Sequence, residues 1–147
     1  MMRSITLAMC ALGLAACQPG GGHQTLVPGD SKEHAPFAGI AEDETIRFTG
    51  TEPFWGGTAQ GGQLIYTTPE TPAGTTIAVK RFAGRGGVSL SGMLGGQAFD
   101  LTVTSGQCSD GMSDRTYPFT ATLMLAGETR NGCAWTDAKR FSGPENP

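Results

Sequence analysis

The sequence predicts an all-β domain: a small antiparallel barrel or sandwich of about eight strands with one disulfide. Three observations lead there. Apolar residues recur at every second position through much of the chain after residue 44, the period of a half-buried strand. Double glycines and other turn residues interrupt that alternation at regular intervals. No stretch carries a helical pattern of any length, and 23 glycines in 147 residues suit turns and bulges rather than helices.

Residues 45–49 alternate polar and apolar. Residues 54–59 are a second candidate strand, weakened by Gly56 and Gly57. Gly61-Gly62 signals a hairpin into residues 63–67. Residues 75–82 place Ile77, Val79 and Arg81 on one face. Gly86-Gly87 then punctuates, and residues 88–91 follow. After Gly95-Gly96, residues 98–104 set Phe99, Leu101 and Val103 on one face. Residues 117–126 do the same for Tyr117, Phe119, Ala121, Leu123 and Leu125, and a turn at 126–128 returns the chain through 129–135. The stretch 108–115, rich in Ser, Asp and Gly, suits one helical turn or an Asx-turn loop. Antiparallel sheets of this size commonly close to remove their edges.

Before these strands lies a segment of another kind. Residues 1–17 read MMRSITLAMCALGLAAC, with one basic residue, Arg3, then an apolar run too short to span a hydrocarbon core of roughly 30 Å. Leu14-Ala15-Ala16-Cys17 fits a lipobox, an apolar and two small residues before a cysteine that takes a diacylglycerol. The plainer alternative is an ordinary signal peptide cut near Ala16. Residues 1–16 are therefore expected to be a lipoprotein signal peptide, with Cys17 lipidated. Three acyl chains, a palmitate-type N-acyl chain among them, would anchor stably where one chain binds only marginally. Gln18, rather than Asp, favours the outer membrane facing the periplasm, by analogy with bacterial lipoprotein sorting. Residues 17–36, dominated by Gly, Pro and polar side chains, read as a flexible tether carrying His23 and His34 as solvated, incidental histidines. The β domain is expected over 37–141 and a disordered tail over 142–147.

Without residues 1–16, whose only charge is Arg3, the chain carries 9 basic against 13 acidic side chains, a formal −4. Basic residues are neither clustered nor interleaved with aromatics, so nucleic-acid binding has no electrostatic footprint. In an oxidising envelope compartment Cys108 and Cys133 are expected to pair, contributing roughly 3.5 kcal/mol in the chain-entropy model. A two-cysteine metal site is the competing reading, but no histidine lies near either.

Two motifs stand out. In Gly50-Thr51-Glu52-Pro53-Phe54-Trp55-Gly56 the adjacent aromatics must face opposite sides of a strand, one toward the core and one toward the surface or a mouth. In Cys108-Ser109-Asp110-Gly111-Met112-Ser113-Asp114-Arg115-Thr116-Tyr117-Pro118-Phe119 a disulfide-pinned loop would hold Asp110, Asp114 and Arg115 with little entropy left to lose. The candidate binding residues are Glu52, Trp55, Asp110, Asp114 and Arg115, with an Arg115–Glu52 ion pair as one way to join the motifs. For Asp110 and Asp114, capping a turn is the plainer role; a Ca²⁺ site would want six to eight oxygens and a different pattern.

Together with Gly132-Cys133-Ala134, these motifs resemble a family of uncharacterised bacterial envelope lipoproteins carrying G-x-E-P-F-W early and C-S-D-G-M-S-D-R-x-Y-P-F late. The resemblance covers about residues 44–135. The family's domain is sometimes found beside one similar to the membrane-bound inhibitors of c-type lysozyme, which implies a disulfide-stapled barrel in the envelope. It carries over no inhibitory residues, since the inhibitors' own active loop has no convincing match here.

An enzyme is not expected. The β domain has no histidine for a nucleophilic triad or a His-based zinc site, and its two cysteines are expected to be oxidised. Residues 84–87 lack the spacing of a phosphate-binding loop. Nothing implies a cofactor or a metal. The expected function is a membrane-anchored envelope lipoprotein with a small binding or interaction domain for a protein or cell-wall ligand, lysozyme-inhibitor-like by resemblance. The alternatives are a purely structural envelope protein and a carboxylate-dependent cell-wall hydrolase, which would place two acids in one cleft.

Overall fold

A computed structural model describes residues 35–144. The sequence-predicted signal peptide, Cys17 and most of the tether lie outside them. Eight strands run in chain order: β1 (Ile46–Thr51), β2 (Phe54–Gln60), β3 (Gln63–Thr68), β4 (Thr71–Ala83), β5 (Gly87–Leu94), β6 (Gln97–Cys108), β7 (Tyr117–Leu125) and β8 (Glu128–Thr136). Each pairs antiparallel with the next, and β1 pairs with β8, so the sheet closes into a barrel with no helix among the described residues. Of the two architectures the sequence allowed, the closed one forms.

Alternation does most of the construction. Ile46 and Phe48, Leu64 and Tyr66, Ile77 and Val79, Val88 and Leu90, Phe99 to Val103 and Phe119 to Leu123 all fall on the inward positions and merge into one buried core. At the β5–β6 turn Gly95 and Gly96 take φ of 57° and 81°, the two positive angles that a two-residue hairpin twisted like its strands requires. Two strands are longer than the sequence suggests. β4 begins at Thr71 even though Pro72 and Gly74 follow, with a register shift against β3 between Tyr66 and Thr68. β6 continues past an irregularity between Ser105 and Cys108.

Connections alternate between two poles. The chain enters and leaves at one, where Ile46 pairs with Thr136. Residues ahead of β1 close this entry pole. Ile40 is buried in the core, Phe37 packs against it, and Phe37 N–H donates to the Gly84 carbonyl (2.7 Å). Arg81 donates to the Ile40 carbonyl (2.7 Å), and the Glu44 carboxylate accepts from Ala41 N–H (3.0 Å) and Ala138 N–H (3.3 Å). The opposite, mouth pole carries the β1–β2, β3–β4, β5–β6 and β7–β8 turns.

The Cys108–Cys133 disulfide is present, with Cα atoms 5.6 Å apart. It sits on the outer wall, tying the end of β6 to the outward side of β8. The segment expected as a disordered tail, residues 142–147, begins docked behind Phe141, the last residue of the expected β domain. Thr116 and Ser142 exchange backbone hydrogen bonds (3.0 and 2.9 Å), and Phe141 packs on Tyr117 and Trp135, because that aromatic cluster buries a ring that solvent would otherwise meet.

Candidate functional site

The two motifs meet on one outer wall of the barrel. β1 and β8 supply Thr49, Thr51 and Trp135, and the 109–116 loop folds back over them until the Asp110 carbonyl accepts from the Thr51 hydroxyl (3.4 Å). Between loop and wall lies a cleft of about 350 Å³ lined by Phe54, Asp110, Met112, Ser113, Arg115, Tyr117 and Trp135 with the two threonines. Phe54 and Met112, 53% and 67% exposed, form its apolar lips.

Asp110 organises the loop from within. Its carboxylate accepts from Met112 N–H (3.0 Å), Ser113 N–H (2.8 Å), Ser113 Oγ (2.7 Å) and the Tyr117 hydroxyl (3.0 Å). This is the Asx-turn arrangement; the helical turn does not form. Burial alone would raise this carboxyl, but the bonds from Ser113, Met112 and Tyr117 outweigh it and hold the group at about 2. Burial in turn pushes the Tyr117 hydroxyl above its usual range. The loop is thus held from within by its own hydrogen bonds. The disulfide holds its start and Tyr117 its end.

The predicted residues separate. Asp110 is the hub. Arg115 lines the cleft and is tied to the C-terminal segment: Nε donates to the Pro144 carbonyl (2.8 Å), and the guanidinium sits 4.5 Å above the Phe141 ring. No Arg115–Glu52 ion pair forms, for the loop directs Arg115 to Phe141 and Pro144, whereas Glu52 sits at the mouth pole on the β1–β2 turn. Asp114 is exposed beside Gly143.

Trp55 is the clearest correction. It was expected at a binding surface, yet it is only 3% exposed and belongs to the core, while Phe54 takes the outward place. The reason lies in its neighbours. Gly50 stands opposite Trp55 in the ladder, and a Cβ there would overlap the indole nitrogen. Gly132 on β8 gives room under the same ring, whose other flank meets Phe48 at 5.7 Å. An aromatic covering cross-strand glycines is a recognised sheet device, and it decides which of two adjacent rings goes inward.

Several residues of these surfaces were not among the sequence's binding candidates: Phe54, named only as the opposite of Trp55, and Met112 at the cleft, and Tyr66 and Arg130 at the mouth. Arg130 carries a readable signal, since it shares strand parity with Gly132 and Ala134 and must therefore face inward. Glu52 shares the mouth cleft with Glu70, and neither Asp110 nor Asp114 joins them there. A hydrogen bond to its own backbone N–H, then one from Thr68, holds the Glu70 carboxyl below its usual range. Among the described residues no cluster of His, Cys, Asp and Glu is spaced to hold a metal ion. Comparison with protein-family models, curated proteins and solved structures gave no match.

Proposed function

We propose that this chain is a lipid-anchored envelope protein whose barrel is a binding module for a protein or cell-wall partner. The carrying observation is the meeting of both sequence motifs around one cleft with exposed apolar lips, Phe54 at the start of β2 and Met112 on a loop already ordered by Asp110 and the disulfide. Two large apolar side chains held in solvent contribute nothing to the core. A loop that has already lost its entropy binds with little further ordering cost. The lipobox at Leu14–Cys17 supports anchoring, and the disulfide suits an oxidising compartment. Trp55, Tyr117 and Asp110 support a structural role for part of each motif, since they pack or hydrogen-bond within the fold. The hydrolase reading loses the pairing of Glu52 with Asp110 or Asp114, with which it shares no cleft, and keeps only Glu52 with Glu70 at the mouth.

The resemblance names the first partner to try. The full chain is titrated with c-type lysozyme, and both direct binding and cell-wall lysis are followed. Micromolar or tighter binding that Phe54→Ala and Met112→Ala weaken at least tenfold is the expected result. Absence of binding and inhibition removes lysozyme as the partner, and binding indifferent to both substitutions removes the cleft as its site. Anchoring is tested separately by labelling cells with palmitate: label present in the wild type and lost in Cys17→Ala is expected, and an unlabelled wild type overturns it.

A further inference from the structure

The mouth pole holds a second cleft, of about 860 Å³. Phe54 borders it on the side of the first. Its walls are the β1–β2 turn with Glu52 and Pro53, the β3–β4 turn with Pro69 and Glu70, and Leu125 at the end of β7. Beneath them Arg130 Nη1 donates to the Tyr66 hydroxyl (2.9 Å). Tyr66 belongs to β3 and Arg130 to β8, which are not neighbours in the sheet, so this bond reaches across the end of the barrel.

An inward arginine is an expensive way to close a barrel. Taking a guanidinium from water is repaid only if its donors are met. Here they are met in part. Nη2 donates to Glu128 Oε2 (3.0 Å), a carboxylate still 69% exposed and hence exchangeable, and the buried Nε has no hydrogen-bond partner. Burial raises the Tyr66 hydroxyl above its usual range despite the guanidinium, so it stays protonated at neutral pH. The floor therefore offers a cation and a phenol to an incoming anion. Higher up the charge reverses, because Glu52 and Glu70 line the walls.

Depth limits the occupant. Phe99 packs edge-on against Tyr66 with centroids 5.5 Å apart, and Leu123 stands beside Arg130 in the ladder. The bore below is filled, so a long alkyl chain has nowhere to go. Beads of apolar surface at Pro53, Phe54, Pro69 and Leu125 suit small side chains instead. A cation below, carboxylates above and apolar walls between match one chemical class, a short zwitterion with apolar substituents.

We propose that the mouth cleft binds a short peptide with both ends free, its carboxylate on Arg130 and Tyr66 and its ammonium toward Glu52 and Glu70. This site shares Thr51 and Phe54 with the Phe54–Met112 cleft, but its floor of Arg130 and Tyr66 is its own, and it stands whether or not a protein partner docks at the other.

The probe is the dipeptide alanyl-leucine, titrated into the full chain with amide chemical shifts as readout. Saturable shifts at Tyr66, Glu70, Leu125 and Arg130 are expected. The N-acetylated and C-amidated dipeptides should each bind at least about tenfold more weakly, the loss of one charge-assisted contact. The Glu52→Gln/Glu70→Gln double variant alters only exposed side chains and so leaves the fold intact. It should weaken the free dipeptide and leave the acetylated one unchanged. Arg130→Lys, with its fold checked by circular dichroism, should weaken the free dipeptide but not the amidated one. No saturable shift at millimolar dipeptide, shifts confined to other faces, or either blocked form binding as tightly as the free dipeptide overturns the proposal.

Discussion

At the entry pole Phe37 and Ile40 close the barrel with apolar surface; at the mouth Arg130 and Tyr66 span it with a hydrogen bond. The polar groups of the entry pole satisfy one another: Arg81 meets the Ile40 carbonyl, and Glu44 meets two amides. Those of the mouth do not, for Arg130 Nε lacks a partner and Glu128 holds Nη2 from solvent. One end is arranged for stability. The other keeps a charge where an apolar side chain would close the core as well, and departures of that kind mark places selected for something besides folding.

That contrast can be broken in several ways. Ile40→Ala should have the largest effect, lowering unfolding free energy by about 3 kcal/mol in denaturant titration, because it removes buried surface and leaves a cavity. A loss under about 1 kcal/mol would mean that the entry segment is not a plug. Arg130→Leu should have a much smaller effect, within about 1 kcal/mol of neutral, because the hydrogen bond lost by Tyr66 offsets the relief of no longer holding a guanidinium partly out of water. A loss above about 2 kcal/mol would make the arginine a structural closure like its counterpart at the other pole.

Two contacts, one at each pole, should also respond to opposite ends of the pH scale: Glu44 at the entry and Tyr66 at the mouth. Burial would raise Glu44, but hydrogen bonds from Thr136 and from the Ala41 and Ala138 amides lower it overall below the usual carboxylate value of 4.5. Its stabilisation is thus present above that value and lost as acid protonates it. Tyr66 is raised above 10.0 chiefly by burial, so its contribution is present below 10.0 and lost as alkali ionises the phenol. Amide exchange should show the Ala41 and Ala138 amides loosening first toward low pH and the neighbours of Tyr66 first toward high pH. Simultaneous loosening at either extreme would contradict the separation. Smallest of all, Phe54→Ala should change stability by no more than about 0.5 kcal/mol, since the ring is exposed. A larger loss would place that ring in the fold rather than at a site.

The strands were legible because alternation states both their existence and their inner face: Phe99, Leu101 and Val103 go inward as read, as do Ile77 and Val79. The opposition of Phe54 and Trp55 was legible too, but not its direction. Direction depends on the glycines facing the indole, and pairing Gly50 with Trp55 needs a register that the sequence does not state. The start of β4 was hidden by Pro72 and Gly74, residues that locally oppose a strand and are overridden by the ladder. The candidate site was half visible. Motif spacing pointed to the loop and its carboxylate hub. The lips and the mouth required the barrel to close before Met112 could approach Phe54, or Arg130 approach Tyr66, 64 residues away.

The pairing of Ile46 with Thr136 has a practical reach. Both covalent leads out of the barrel lie at one pole, so a handle fused to either lead, or a bead gripping it, presents the mouth to solution. It also makes the fold a candidate for circular permutation. A few residues could bridge the old ends while a cut in the Gly95-Gly96 turn supplies new ones, with all eight ladders kept and the new ends flanking the cleft.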